Sequence, residues 1–265
     1  MIELVYDKKS YVIPENWNEL TTKQVVNMVR LIHASKDDVD FLYRALQILL
    51  QMSNWDYVKL SNDFKGRAFD HIIWIAGENT LTKNPFPQLS IVPFFSTLYG
   101  PKDDFDNIRA KEFHFAEMSY VAYLETNDIG YLDRLIGVLY RKHCGLKGDE
   151  LLKRGDVRED FNDNLVPKYA NTVLRLSIDT KRAILQWYDG CRHNLLQSFK
   201  SLKKADGVQS DDFKGLYPLM HSMAGEKYGD FDKIEQKLVW DLMYAMQQFN
   251  DDAKEQEKLA KKQKS

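Results

Sequence analysis

Cysteine is nearly absent. Cys144 and Cys191 are the two in 265 residues, which excludes a disulfide scaffold and fits a reducing compartment. Proline is sparse too, and four of the seven, Pro85, Pro87, Pro93 and Pro101, fall within residues 78–107. Proline fits helix interiors poorly, so that stretch is expected to be extended or irregular while the rest is free to coil. Neither sign of charge dominates. With 37 basic and 39 acidic side chains there is no surplus to neutralise phosphates, and nucleic acid is not an expected partner. No uninterrupted apolar run approaches the length of a membrane span. The opening Met1-Ile-Glu-Leu-Val-Tyr-Asp-Lys-Lys9 lacks a positive segment followed by an apolar one, so no signal peptide and no membrane partner are expected.

Catalytic signatures are equally scarce. The chain has no Gly-x-x-x-x-Gly-Lys-Ser/Thr loop, no Gly-x-Gly-x-x-Gly, no Gly-x-Ser-x-Gly and no His-Glu-x-x-His, so neither a phosphate cradle, a nucleophile elbow nor a zincin helix is written in it. His114 and Glu117 share one helical side but sit beside Phe113 and Phe115, which suits packing better than ligation. His143-Cys144 lacks a second ligand pair nearby. Asp104 and Asp106, like Asp230 and Asp232, lack the Gly and Glu spacing of a calcium loop. Asp230 or Asp232 is expected to cap a helix. Glu112 and Glu117 form a pair of carboxylates of unknown burial. The five tryptophans are scattered over separate elements and are expected in the core rather than on a stacking platform.

What the chain does have is apolar periodicity. Hydrophobic residues make up 44%, enough for a sizeable core. Ile2, Leu4 and Tyr6 alternate, Tyr11 and Ile13 return after a polar turn, and a small N-terminal β-hairpin is expected, stopped by Pro14. Helices follow at residues 22–34, near 41–49 and at 62–77, by three- and four-residue apolar spacing. Residues 108–125 and 129–141 read as two helices joined by Thr126-Asn127-Asp128. Further helices are expected at 180–202 and from Asp232 onward. The last carries Leu238, Leu242, Met246 and Phe249, then decays into a charged tail that has no apolar face. A short strand is expected near Ser90–Val92, a capping box at Ser35–Asp38, and a polar linker at 203–212. The fold class is therefore mainly α, a multi-helix bundle with a small N-terminal β-hairpin. Its expected organisation is 1–141, hairpin plus helical domain; 142–168, a mixed-charge connection; and 169–265, a C-terminal helical region with a solvated tail.

Three short motifs carry a resemblance. The run Tyr11-Val-Ile-Pro-Glu-Asn-Trp-Asn-Glu-Leu-Thr-Thr-Lys-Gln24 resembles the opening of uncharacterised proteins from prophages of Bacteroidetes-type bacteria. So do Tyr99-Gly-Pro101 followed by Glu112-Phe113, and Leu135-Ile-Gly-Val-Leu-Tyr-Arg141. The C-terminal run from Phe213 to Glu255 is similar in style to phage tail-assembly chaperones, in its short helix, Gly225 and long helix. Those are non-enzymatic helical proteins that hold the tape-measure protein while tail-tube subunits polymerise around it. The resemblance implies phage morphogenesis in the bacterial host cytoplasm, or in the virion for a protein that stays with the particle. It transfers no functional residue, because the family has no residue motif for a reaction.

The expected function is thus a non-enzymatic tail assembly chaperone or scaffold, with phage structural or tail proteins as partners. Self-association through the terminal helix is a second use. Partner contact is assigned to Ile2, Leu4, Tyr6, Tyr11 and Ile13 of the hairpin edge and to Leu238, Leu242, Met246 and Phe249 of the terminal helix. No catalytic, cofactor-binding or metal-binding residue is assigned. Two other readings stay open: a permanent virion subunit such as a connector, ring or baseplate component, and an enzyme whose site is assembled from distant segments.

Overall fold

The chain begins as a β-hairpin because of its turn. In a computed structural model, which describes residues 1–34, 38–92, 96–199, 216–225 and 228–263, β1 (Ile2–Tyr6) and β2 (Lys9–Ile13) pair antiparallel with Ile2 opposite Ile13 and Tyr6 opposite Lys9. The two connecting residues, Asp7 and Lys8, both have positive φ, 47° and 61°. That left-handed pair matches the strand twist, although glycine would adopt it more easily.

Twelve α-helices follow among the described residues, and the protein is mainly α with this hairpin at its start. They are α1 (Thr22–Ala34), α2 (Asp38–Leu49), α3 (Asn54–Val58), α4 (Asn62–Phe69), α5 (Ala110–Thr126), α6 (Ile129–Leu139), α7 (Gly148–Arg154), α8 (Val166–Val173), α9 (Ile178–Ser198), α10 (Leu216–Met223), α11 (Phe231–Glu235) and α12 (Val239–Gln263). A second antiparallel hairpin, β3 (Gln88–Val92) with β4 (Ser96–Tyr99), occupies part of the proline-rich stretch. The single short strand expected there has a partner that the sequence pattern did not reveal.

Two compact units divide the chain. The first comprises Met1–Phe86 and Leu176–His193; the second comprises Pro87–Arg175 and Asn194–Ser265. Each is discontinuous in sequence, unlike the three consecutive stretches expected, because distant segments share burial that no local pattern encodes.

In the first unit, Phe64 of α4 is fully buried and receives the rings of Tyr6 and Tyr11 at 5.1 and 5.5 Å. The hairpin is thereby fixed to helices, as a lone two-stranded sheet requires in water. α4 ends at Phe69 and gives way to a 3-10 turn over Ile73–Ala76, so the long helix expected over 62–77 is broken. The strand-free segment that follows is strapped to α9. Trp187 Nε1 donates to the Thr82 carbonyl at 2.9 Å, and Asn79 Nδ2 donates to the Gln186 carbonyl at 2.7 Å. Asn18 Oδ1 accepts from the backbone nitrogens of Thr82 and Lys83, each at 2.8 Å. Gly190 permits this approach: a Cβ there would lie 2.4 Å from the Leu81 carbonyl oxygen.

The second unit is organised by the α5–α6 pair. α5 ends at Asn127 in the left-handed region (φ 56°), and Asp128 caps α6 by accepting from Gly130 N at 2.8 Å. The expected tight polar turn is therefore both a C-cap and an N-cap. Leu132, Leu135, Ile136, Val138 and Leu139 of α6 are fully buried. α6 lies close against α8, where a Cβ on Gly137 would stand 2.6 Å from Ala170 N. The terminal region expected as one helix from Asp232 is two, α11 and α12, parted at 236–238. The backbone of α12 stays helical to Gln263, consistent with a tail rich in Lys, Glu, Gln and Ala, all good helix formers. Residues 35–37 of the expected Ser35–Asp38 capping box and the 203–212 linker lie outside the described residues; α2 begins at Asp38.

Candidate functional site

The hairpin and the terminal helix separate into interior and exterior positions. Ile13 is fully buried, and Ile2, Leu4, Tyr6 and Tyr11 are half-buried on the inner face. The opposite face presents Val5 and Val12, 64% and 51% exposed. On α12, Leu242 and Met246 are in the core, at 0% and 1% exposure, and are not available to a partner in this structure. Leu238, just before the helix, is half-buried and bridges Arg109 through the backbone. Phe249 is half-buried and meets the Tyr228 ring edge-on at 6.0 Å. The spacing near four identified the buried stripe of this helix; its exposed side carries Tyr244 at 59%.

Other singled-out residues have structural duties. Asp230 Oδ1 accepts from Lys233 N at 3.0 Å and caps α11, as expected. His143 Nδ1 accepts from Gly145 N at 2.9 Å, and its ring meets Tyr99 edge-on. Cys144 lies 3.9 Å from the Asp156 carbonyl through sulfur. The Asp104 carboxylate accepts from Asn194 Nδ2 at 2.9 and 3.0 Å, and burial pushes its pKa up. His114 stacks on Tyr217 at 4.4 Å; burial pushes its imidazole down, against a smaller upward pull from Glu235. Trp17 and Trp187 are core residues, whereas Trp55 is 74% exposed, against expectation.

The structure also assembles a cluster that the sequence did not reveal. Glu112 of α5, 1% exposed, accepts from two guanidiniums. Arg141 reaches its two oxygens at 2.9 and 3.2 Å, and Arg158 donates to both oxygens as well. Arg158 is wholly buried and spends its other donors on Asp156 (2.9–3.2 Å), the Leu139 carbonyl (2.9 Å) and the Asn107 carbonyl (3.0 Å). Arg141 donates also to the carbonyls of Val138 (2.8 Å) and Glu159 (2.9 Å). Burial opposes charge on Arg158, but Glu112 and Asp156 outweigh it and hold the pKa above its ordinary value. Burial likewise opposes charge on Asp156, and the Arg158 contacts outweigh it and hold that carboxyl low. Nearby, Tyr169 donates to Glu159, and burial together with this bond pushes the phenol up to about 12.

This cluster fastens the 142–168 stretch. Cys144 N donates to the Val157 carbonyl at 2.9 Å, Glu159 N donates to the Lys142 carbonyl at 2.9 Å, and α7 sits at the tip between the paired arms. Glu112 and Glu117 are both buried but five residues apart, about 140° around a helix; they do not form a facing acid pair.

No family model, curated protein or solved structure matches the chain.

The first unit holds a groove of about 630 Å³ between α1 and the C-terminal half of α2. It is lined by Lys23, Asn27 and Arg30 on one side and by Arg44, Gln47 and Gln51 on the other, with Ile48 and Met52 supplying apolar surface. Arg30 Nε contacts Asp179 at 2.7 Å, and Arg44 Nε contacts Asp40 at 2.8 Å. Among the described residues no helix is long and apolar enough to cross a membrane, and no group of three or more His, Cys, Asp or Glu stands ready to hold a metal ion.

Proposed function

We propose that this chain is a non-enzymatic phage tail morphogenesis factor, an assembly chaperone or scaffold that binds tail proteins in the host cytoplasm. One observation carries the binding part of this reading: how the chain spends the buried ionisable groups of its second unit. Glu112, Arg141 and Arg158 are sealed from water and hydrogen-bonded to one another and to backbone carbonyls. Charges matched in this way hold a loop in place and offer no open valence to a substrate. The tail assignment is supported by the resemblance of Tyr11–Gln24, Leu135–Arg141 and the C-terminal helix pattern to prophage proteins and tail-assembly chaperones.

In this reading there are two separate contact surfaces, the outward side of the hairpin in the first unit and the outward side of α12 in the second. Val5 and Val12 are the exposed apolar members of the first and Tyr244 of the second, while Ile13, Leu242 and Met246 are interior. A strand edge offers main-chain hydrogen bonds to an extended segment, and a helix offers a face to another helix. The chain covers apolar surface on an unassembled partner until the productive contact displaces it.

The test is quantitative mass spectrometry of infected-cell lysate against purified particles, with affinity capture from the lysate. A chaperone is abundant in lysate, captures a tape-measure or tail-tube protein, and is absent from particles. Recovery in particles at a fixed stoichiometry would refute the chaperone role in favour of a permanent virion subunit.

A further inference from the structure

We infer that the groove between α1 and α2 is a docking surface for an acidic amphipathic helix of a partner protein. The inference rests on the reading of the chain as a binding protein, and it names the chemistry of one partner segment.

The groove follows α1 from Lys23 to Ala34, which at about 1.5 Å per residue is roughly 16 Å, the length of three helical turns. Its lining includes three cations, Lys23, Arg30 and Arg44, and no carboxylate. Among the described residues, two carboxylates beside it, Asp179 and Asp40, engage Arg30 and Arg44 through Nε. Arg30 makes no further hydrogen bond or ion pair among the described residues, so its terminal nitrogens remain to donate. Lys23 is exposed and has no carboxylate within 4.0 Å among the described residues. Among the described residues the excess charge facing the groove is therefore positive.

Spacing narrows the occupant further. Lys23 and Arg30 are seven residues apart on one helix, so they present charges about 10 Å apart along the groove. Carboxylates seven apart on an incoming helix match that interval. Ile48 and Met52 in the lining suit the apolar residues of the same helix, the arrangement by which grooves take amphipathic helices. The chain's own tail is a poor occupant: residues 251–265 carry five lysines against four carboxylates, no two of them seven apart.

Two fluorescein-labelled helix-forming peptides are the probes, one with glutamates at seven-residue spacing opposite a leucine face, the other with lysine for each glutamate. Fluorescence anisotropy with the full chain should show saturable binding of the acidic peptide. Binding should weaken about tenfold when salt rises from about 50 to about 300 mM. Lys23→Glu and Lys23→Glu/Arg44→Glu alter exposed side chains, and circular dichroism should show the fold retained. They should weaken binding about tenfold and more than about tenfold, respectively. The lysine peptide should not saturate. Equal binding of both peptides, no binding of the acidic one, or affinity indifferent to both charge reversals overturns the inference. The tail reading is decided separately by the particle analysis: failure here leaves it standing, and its failure leaves the groove's charge preference standing.

Discussion

Replacing Glu112 by glutamine tests the buried cluster most directly. The amide keeps the shape but removes the charge, and it presents a donor to one of two guanidiniums that need acceptors. Arg158 is 0% and Arg141 3% exposed, so water cannot take the place of the lost carboxylate. Removing one partner of a buried ion pair costs about 3–5 kcal/mol. Arg158 keeps Asp156 and the Leu139 and Asn107 carbonyls, which places the expected loss near the lower bound, about 3 kcal/mol. A stability difference of that size is roughly a hundred-fold in an opening equilibrium. Hydrogen exchange read by mass spectrometry should therefore show backbone amides of 142–145 and 156–159 exchanging about a hundred-fold faster in Glu112→Gln. Amides of α1 and α2, in the other compact unit, should keep their rates. Pairing Glu112→Gln with Arg141→Gln should recover part of the loss, because one stranded charge leaves with its partner. A loss in Glu112→Gln under about 1 kcal/mol, or a double variant as unstable as the two single losses added, would refute the claim that these charges are mutually dependent.

Three further outcomes follow from single positions. Gly137→Ala and Gly190→Ala each drive a methyl into backbone, at 2.6 Å from Ala170 N and 2.4 Å from the Leu81 oxygen; urea unfolding should show each destabilised by about 1–3 kcal/mol or more, and wild-type midpoints would disprove the close approaches. Lys8→Gly relieves a side chain held at φ 61° and should raise stability by up to about 1 kcal/mol; a lower melting temperature would show that the turn is not left-handed. Acid should destabilise the protein in two steps. His114 titrates below its ordinary 6.5 when folded, so the unfolded chain binds protons first and stability falls as pH drops through and below 6.5; Asp156 is held below its ordinary 3.8, so its contribution is complete above that value and disappears as pH falls through the lower folded pKa. His33 is also held below 6.5 by burial, so His114→Phe should shrink the first step without abolishing it and leave the second, as followed by melting temperature against pH.

The sequence by itself determined what short-range physics controls. Alternation at Ile2–Tyr6 and at Tyr11–Ile13 located the hairpin, and Thr126-Asn127-Asp128 located the boundary of α5 and α6, because caps and strand faces depend on neighbours a few residues away. Leu242 and Met246 have the periodicity of a contact stripe and lie in the core, since periodicity alone cannot distinguish a face turned inward from one turned toward a partner. Tertiary structure decided the rest. Glu112, Arg141 and Arg158 look like ordinary surface charges when read singly, since nothing near them in sequence announces burial. Their cluster exists because α5, the end of α6 and the 142–168 arm converge, and the balance of burial against ion pairing is set by side chains 29 and 46 residues apart.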